Sequence, residues 1–157
     1  MKKKLIIASL IFISIHSQSQ TESETIDYLN KKLALNSAPM VDEPMYLTVR
    51  TGEDYGKIII IDSYISNNLF TTKKFHCEQI DGITTFRPAN GKLCLRIVST
   101  KGLLKNKYAS ENVEHYENSM NIPLTCTDEE SMRIKKAFEH LFKINGIKQI
   151  NNDLFKN

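Results

Sequence analysis

Large apolar residues recur at helical spacing near the end of the chain, and this is its clearest pattern. Four of them fall on one side of a helix: Ile134, Phe138, Leu141 and Phe142. Thr127 followed three residues later by Glu130 is typical of a capping box, which marks where a helix begins. Gly146 can adopt the left-handed conformation that ends a helix and turns Ile147 back onto Phe142. The pattern therefore predicts an amphipathic C-terminal helix that buries one apolar stripe.

A thinner apolar stripe predicts a helix near the N-terminus, at residues 21–35. The stripe consists of Ile26, Leu29 and Leu33. Thr21 and Glu24 have the spacing of a capping box, so the start of this helix is also indicated. Because the stripe is thin, we expect the helix to pack at the edge of the core. The following segment, 36–44, contains two prolines and is predicted to be a connector.

Short apolar runs alternate with turn residues between the two helices, which predicts antiparallel strands. Residues 45–50 and 57–61 are predicted to form a hairpin, followed by a loop at 62–68. The polar segment 101–119 is predicted to be a long mobile excursion. Residues 120–126 are expected to return as a short edge strand, because the segment contains a proline.

Two turn signals predict a three-stranded meander in the middle of the chain. Asp81-Gly82 and Asn90-Gly91 are typical of two-residue hairpin turns. They would connect strands at 74–80, 83–89 and 92–99. Strand alternation then assigns one face to the core: Phe75, Cys77, Phe86, Leu93, Leu95 and Ile97. The opposite face carries His76, Glu78, Arg87, Cys94 and Arg96.

The predicted order is an N-terminal helix, about six antiparallel strands and a C-terminal amphipathic helix packed on the sheet. This is an α+β fold. A strongly bent sheet closed by one C-terminal helix is the arrangement of pleckstrin-homology-like folds, and an open sheet with a packed helix is the alternative. The pattern leaves both arrangements open.

Residues 1–19 have the features of a secretory signal peptide. Three lysines precede the apolar run 5–15, whose 11 residues are too short to span a bilayer. Ser17 and Ser19 are the small residues expected before a cleavage site. We therefore expect a cut between Ser19 and Gln20, a single α+β domain at 20–157 and a periplasmic or secreted protein without a membrane span.

Removal of the signal changes the charge balance. The whole chain has 21 basic and 18 acidic residues, and the loss of three lysines leaves 18 of each. A neutral protein lacks the basic footprint that binding to phosphates requires, which argues against nucleic acid as a partner. The sequence carries no cofactor motif, so no cofactor is predicted. The expected partner is an unidentified protein or small ligand of the periplasm or envelope.

Three cysteines, Cys77, Cys94 and Cys126, are an odd number for an oxidising compartment. Cys94 shares its predicted face with positive side chains, which lower the pKa of a thiol. The candidate binding residues on this face are His76, Arg87, Cys94 and Arg96. An ordinary charged strand surface and a disulfide between Cys94 and Cys126 are the alternatives. Cys77 is expected to be a small buried apolar residue.

A cluster of potential metal ligands lies in the polar excursion. Glu111 and His115 are four residues apart and would share a helical face with Glu114. Carboxylates and histidine can bind zinc or manganese, but this ligand set is incomplete. We therefore interpret the cluster as a solvated charged segment, and no metal is predicted.

The two ends of the chain, ETIDYLNKKL and RIKKAFEHLFKINGIK, resemble small exported bacterial proteins of uncharacterised function. These proteins share an N-terminal amphipathic helix and a closing helix of the form R-x-x-K-A-F-x-H-L. The matching motifs form the fold and imply no functional residue. With no catalytic constellation in the chain, the leading hypothesis is an exported non-catalytic binding or structural module. The alternative is a small extracytoplasmic enzyme, hydrolytic or thiol-based, whose residues form no linear motif.

Overall fold

The computed structural model describes residues 20–38, 45–54, 56–89, 91–99, 104–111 and 113–147. Two helices flank the strands: α1 (Glu22–Asn36) and α2 (Asp128–Ile144). The strands are β1 (Met45–Glu53), β2 (Lys57–Ile65), β3 (Asn68–His76), β4 (Gly82–Phe86), β5 (Leu93–Val98), β6 (Leu104–Tyr108), β7 (Glu114–Glu117) and β8 (Ser119–Leu124). A short 3₁₀ turn, Cys77–Gln79, follows β3.

The strands form two open antiparallel sheets. The larger sheet has the order β1-β2-β3-β6-β7, and the smaller has the order β4-β5-β8. Both sheets and both helices contribute to one apolar core. The predicted α+β fold is confirmed in its open-sheet form, although the described residues form eight strands where about six were expected.

Helix α2 buries the stripe that its sequence predicts. Ile134, Phe138 and Leu141 are fully buried, and the Phe138 ring lies 5.9 Å from that of Phe142. This apolar face packs against β4 and β5 of the smaller sheet. The helix therefore covers that sheet with large side chains, as the spacing indicated.

Both ends of α2 follow from local sequence. At the start, the Thr127 side chain accepts a hydrogen bond from the backbone N–H of Glu130. The Glu130 carboxylate does not return to Thr127 but pairs with Lys32 of α1 at 2.7 Å, so only half of the predicted capping box forms. At the end, Gly146 has φ +99°, and Ile147 N donates to the Phe142 carbonyl at 3.1 Å, which is the predicted Schellman motif.

Helix α1 has the complete capping box between Thr21 and Glu24. Leu29 and Leu33 are fully buried, so this helix lies within the core and not at its edge as predicted. The side-chain amide of Asn30 both donates to the Val49 carbonyl and accepts from its N–H. Because that pairing occupies backbone groups of β1, α1 protects an edge of the larger sheet.

The hairpin of β1 and β2 is confirmed, but its second strand is longer than predicted. Residues 62–65 continue β2, where a loop was expected. Ser66 and Asn67 then make the turn to β3, both with positive φ, as a tight two-residue hairpin turn requires.

The predicted three-stranded meander is wrong. The 3₁₀ turn at Cys77–Gln79 ends β3, and Asp81 N donates to the Val98 carbonyl of β5. Strand β3 therefore stays in the larger sheet while β4 begins the smaller one. The second neighbour of β5 is β8, whose Pro123 lies at a sheet edge as predicted.

The register between β4 and β5 differs from the prediction by one residue. Phe86 lies opposite Cys94, whereas a two-residue turn would place it one position further along β5. Pro88 has no N–H to donate to a ladder, and its carbonyl accepts from Gly91 N at 2.8 Å in a wider turn. The slip moves Phe86 from its predicted core position to the outer face, where the Arg96 guanidinium lies 4.2 Å from its ring centroid.

The remaining members of the predicted core face are buried: Phe75, Cys77, Leu93, Leu95 and Ile97. The polar segment 101–119 contains a strand pair where a mobile excursion was predicted. Strands β6 and β7 form a hairpin that extends the larger sheet beyond β3. This hairpin supplies much of the candidate site described next.

Candidate binding cleft between the sheets

The structure divides the four predicted binding residues between the two sheets. His76 ends β3 of the larger sheet, while Cys94 and Arg96 lie on β5 and Arg87 follows β4. Arg87 pairs with Asp128 at 2.6 Å, at the start of α2. His76 is therefore not brought together with the other three.

Cys94 lies between Phe86 and Pro123, its cross-strand neighbours, and is only 7% exposed. Burial raises the pKa of the Cys94 thiol, and the nearby charge of Arg96 offsets this only in part. The expected lowering of this pKa is therefore wrong. Arg96 donates to Asn121 Oδ1 at 2.8 Å, so its guanidinium is already engaged on the sheet surface.

The pKa of each of the other two thiols is raised as well. Burial raises the pKa of Cys77 to about 11 and also raises that of Cys126. All three cysteines are free, so no bridge joins Cys94 to Cys126. Since the thiolate is the reactive form of cysteine, none of these environments activates one.

Glu111 and His115 do meet, although not on a helix. His115 Nε2 lies 2.6 Å from Glu111 Oε2 across the turn between β6 and β7. Among the described residues, no group of three or more His, Cys, Asp or Glu side chains is placed to hold a metal ion.

A cleft of about 80 Å³ lies where the larger sheet faces β8 of the smaller one. Its walls are mainly apolar and carry a few polar side chains. The lining residues are Met45, Leu47, Ser63, Phe70, Thr71, Lys73, Tyr108, Met120, Asn121 and Pro123. None of them was among the predicted site residues.

A β-bulge directs an aromatic side chain to the mouth of this cleft. The register of β2 and β3 shifts between Ser63 and Tyr64, which leaves Phe70 as an extra residue without a partner in the ladder. Phe70 is 40% exposed, and its ring meets the edge of Tyr108 at 5.7 Å. Tyr108 in turn contacts the His115 ring at 5.9 Å. We call Phe70, Tyr108 and His115 the aromatic row.

A partly buried polar network, centred on the buried side chain of Asn106, lies in the wall beside this row. Lys73 Nζ lies 2.9 Å from Glu117 Oε2, and Asn106 Nδ2 donates to Glu117 Oε1 at 2.9 Å. Burial would raise the pKa of Glu117, but Lys73 and the Asn106 amide hold it below its ordinary value. Asn106 is 1% exposed, and its Oδ1 has no donor among the residues that the structure describes.

This site could not be predicted from local sequence, because its residues come from five strands. The signal that could have found it is the opposite charge of facing residues in β6 and β7. Lys107 of β6 lies opposite Glu114 of β7, and Lys105 of β6 pairs with the same Glu114 at 3.6 Å. Opposite charges in successive short segments are typical of paired strands as well as of solvated loops.

No protein-family model matches the chain, and neither the curated proteins nor the solved structures contain a significant match to it. None of the helices in the described ranges is both long and apolar enough to cross a membrane.

Proposed function

We propose that this protein is an exported, non-catalytic binding module that holds an apolar side chain of a partner protein in the cleft between its sheets. Export is supported by the signal-peptide features of residues 1–19. The observation that carries the binding proposal is the position of the cleft beside the aromatic row. The partner would be a protein of the periplasm or envelope.

The size of the cleft favours a side chain over a whole small molecule. Pockets for small molecules usually enclose about 300–1,000 Å³, and a dry cavity of roughly 150 Å³ is enough for benzene. A cleft of about 80 Å³ accepts one aliphatic side chain. Burying such a group contributes roughly 1.5–3 kcal/mol, so an anchor here would add substantially to affinity.

The composition of the rim also favours a protein partner. Aromatic residues and methionine are enriched in protein interfaces, and the cleft presents Phe70, Tyr108 and Met120. The polar groups nearby already have partners: Lys73 pairs with Glu117, and His115 Nε2 lies within hydrogen-bond distance of Glu111. An apolar anchor, and not a net charge, would therefore supply the affinity.

The environments of the three thiols, two of them buried and that of Cys126 half-buried, support a non-catalytic role over a thiol-based enzyme. Their raised pKa values leave little thiolate at neutral pH. His76, the histidine nearest a cysteine in sequence, has no described hydrogen bond to Cys77. Neither side chain lines the cleft between the sheets.

Site-specific cross-linking in the producing cell tests the proposal. A photo-reactive amino acid at Phe70 should yield one discrete cross-linked protein, because this side chain lies at the mouth of the cleft. Leu35 is the matched control, since it is a 71% exposed apolar residue on α1 that does not line the cleft.

A cross-link at Phe70 without the same product at Leu35 would support the module and allow the partner to be identified by mass spectrometry. Identical products at both positions would show that the aromatic row is not a specific surface. The absence of any product at Phe70 would count against a protein partner at this cleft.

A further inference from the structure

A second cleft lies at the C-terminal end of α2 and has a volume of about 200 Å³. It forms where α2 ends beside the start of β2 and the 3₁₀ turn that follows β3. The side chains that line it are Lys57, His76, Cys77, Glu78 and Asn145. None of them lines the cleft between the sheets. Of the four binding residues predicted from sequence, His76 lies here.

Asn145 brings an unpaired acceptor to this cleft. It is the C-cap of α2 and is only 7% exposed. Its Nδ2 donates to the Leu141 carbonyl at 2.9 Å, which fixes the orientation of the amide, because the reverse orientation would place two acceptors together. Its Oδ1 accepts no hydrogen bond within the described ranges. Since buried acceptors are almost always paired, this oxygen points to a ligand that carries a donor.

Lys57 and Glu78 bring opposite charges to the same cleft. Both side chains are exposed, and no ion pair joins them to each other or to another residue in the described part of the chain. Burial raises the pKa of the Cys77 thiol to about 11, so the thiol between them is neutral. The negative end of the α2 dipole lies beside Asn145 and favours a cation there. The cleft therefore offers a place for a positive group and a separate place for a negative one.

We propose that this cleft binds a small zwitterion of the α-amino acid class. The ammonium group of the ligand lies toward Glu78 and the unpaired oxygen of Asn145, and its carboxylate lies toward Lys57. A ligand with a single charge would satisfy only one side of the cleft. Binding here is independent of the cleft between the sheets, because the two clefts share no lining residue.

The size of the cleft favours an amino acid with a short side chain. A cavity of roughly 150 Å³ is enough for benzene, so about 200 Å³ accepts a molecule of similar size, such as glycine, alanine or serine. Because Lys57 and Glu78 are exposed, each ion pair with the ligand is screened by solvent and contributes modestly. We therefore expect weak binding with fast exchange, which NMR titration measures well.

NMR titration of the isotope-labelled protein with glycine, L-alanine and L-serine tests the proposal. The side-chain amide of Asn145 and the backbone amides of Cys77 and Glu78 should shift and saturate with at least one of these amino acids. L-alaninamide lacks the carboxylate and N-acetyl-L-alanine lacks the ammonium, so each should bind at least about threefold more weakly than L-alanine. The absence of saturable shifts at these signals with all three amino acids would overturn the proposal. Equal binding of either analogue would overturn the zwitterion assignment.

Two charge-removing variants assign the ends of the ligand. Glu78→Gln should weaken binding of L-alanine at least about threefold and leave that of N-acetyl-L-alanine unchanged, because this analogue has no ammonium. Lys57→Met should weaken L-alanine equally and spare L-alaninamide. Both positions are exposed, so the fold should persist. Lys31→Met, at an exposed position of α1 outside the cleft, is the matched control and should bind as wild type does. Wild-type affinity for L-alanine in Glu78→Gln or in Lys57→Met would refute the role of that charge and with it the proposal.

Discussion

Truncation of Phe138 tests how α2 closes the fold. Phe138 is fully buried and contacts Phe142 within the core formed by both sheets and both helices. Phe138→Ala removes this ring and leaves a cavity that rigid neighbours fill only in part. The free energy of unfolding should therefore fall by about 3–5 kcal/mol, a large share of the 5–15 kcal/mol of a typical domain.

Urea denaturation measures this loss directly. With an m-value of about 2 kcal/mol/M, the midpoint should fall by roughly 1.5–2.5 M while the slope stays unchanged. Met132→Ala is the control, because it removes an apolar side chain from the same helix at a position that is 41% exposed. Its cost should stay below about 1 kcal/mol. Equal midpoints for the two variants would refute the docking of α2 through this face.

Three further predictions concern other parts of the molecule. Cys126, the most accessible thiol, should react with a bulky maleimide in the native protein before Cys77 or Cys94, both of which are buried. Fast native labelling of Cys77 would contradict the core assignment. The folded-state pKa of Glu117 is lowered, so its stabilisation is present above the unfolded value of 4.5 and is lost as pH falls through the lower folded value. Glu117→Gln should flatten the decline of stability between about pH 5 and pH 3, and an unchanged acid profile would count against the network of Lys73, Asn106 and Glu117. Gly146→Ala should reduce stability by about 1–2 kcal/mol in chemical denaturation, because φ +99° is strained for a residue with a Cβ. A fully stable variant would show that α2 ends differently.

Features specified by neighbouring residues were predictable from sequence. The caps at Thr21, Thr127 and Gly146 depend on side chains and dihedral angles within one turn, and each lies where the pattern placed it. One local prediction was wrong: the Glu130 side chain does not bond back to Thr127 to complete the second capping box. Lys32 comes from a helix nearly a hundred residues away in sequence, and no local rule includes it.

Strand pairing was less predictable because it depends on distant partners. The hairpin predicted at Asp81-Gly82 does not form, because Asp81 N donates to the Val98 carbonyl of β5. Pro88 widened the next turn and shifted Phe86 by one residue, which reversed its face. The β6–β7 hairpin carries charges on both faces, so it lacks the alternation of apolar and polar residues that usually indicates a strand.

The candidate site could not be predicted from sequence for the same reason. The cleft gathers Leu47, Phe70, Tyr108 and Met120 from four strands that are far apart in sequence. The bulge that exposes Phe70 is a property of the register between β2 and β3. The four residues chosen from sequence shared a face only in a meander that the chain does not form.

Filling the cleft is the most direct test of the binding proposal. Ser63 is a buried wall residue, and Ser63→Val adds apolar volume where the partner's anchor would lie. Thr48→Val, an apolar replacement on the neighbouring strand outside the cleft, is the control. The dissociation constant of the cross-linked partner should be measured by titration calorimetry against wild type and both variants, after far-UV circular dichroism confirms that each is folded. We predict binding at least about tenfold weaker for Ser63→Val, which corresponds to 1.4 kcal/mol, and no change for Thr48→Val. Unchanged affinity of a folded Ser63→Val protein would contradict the proposal that the cleft holds the partner.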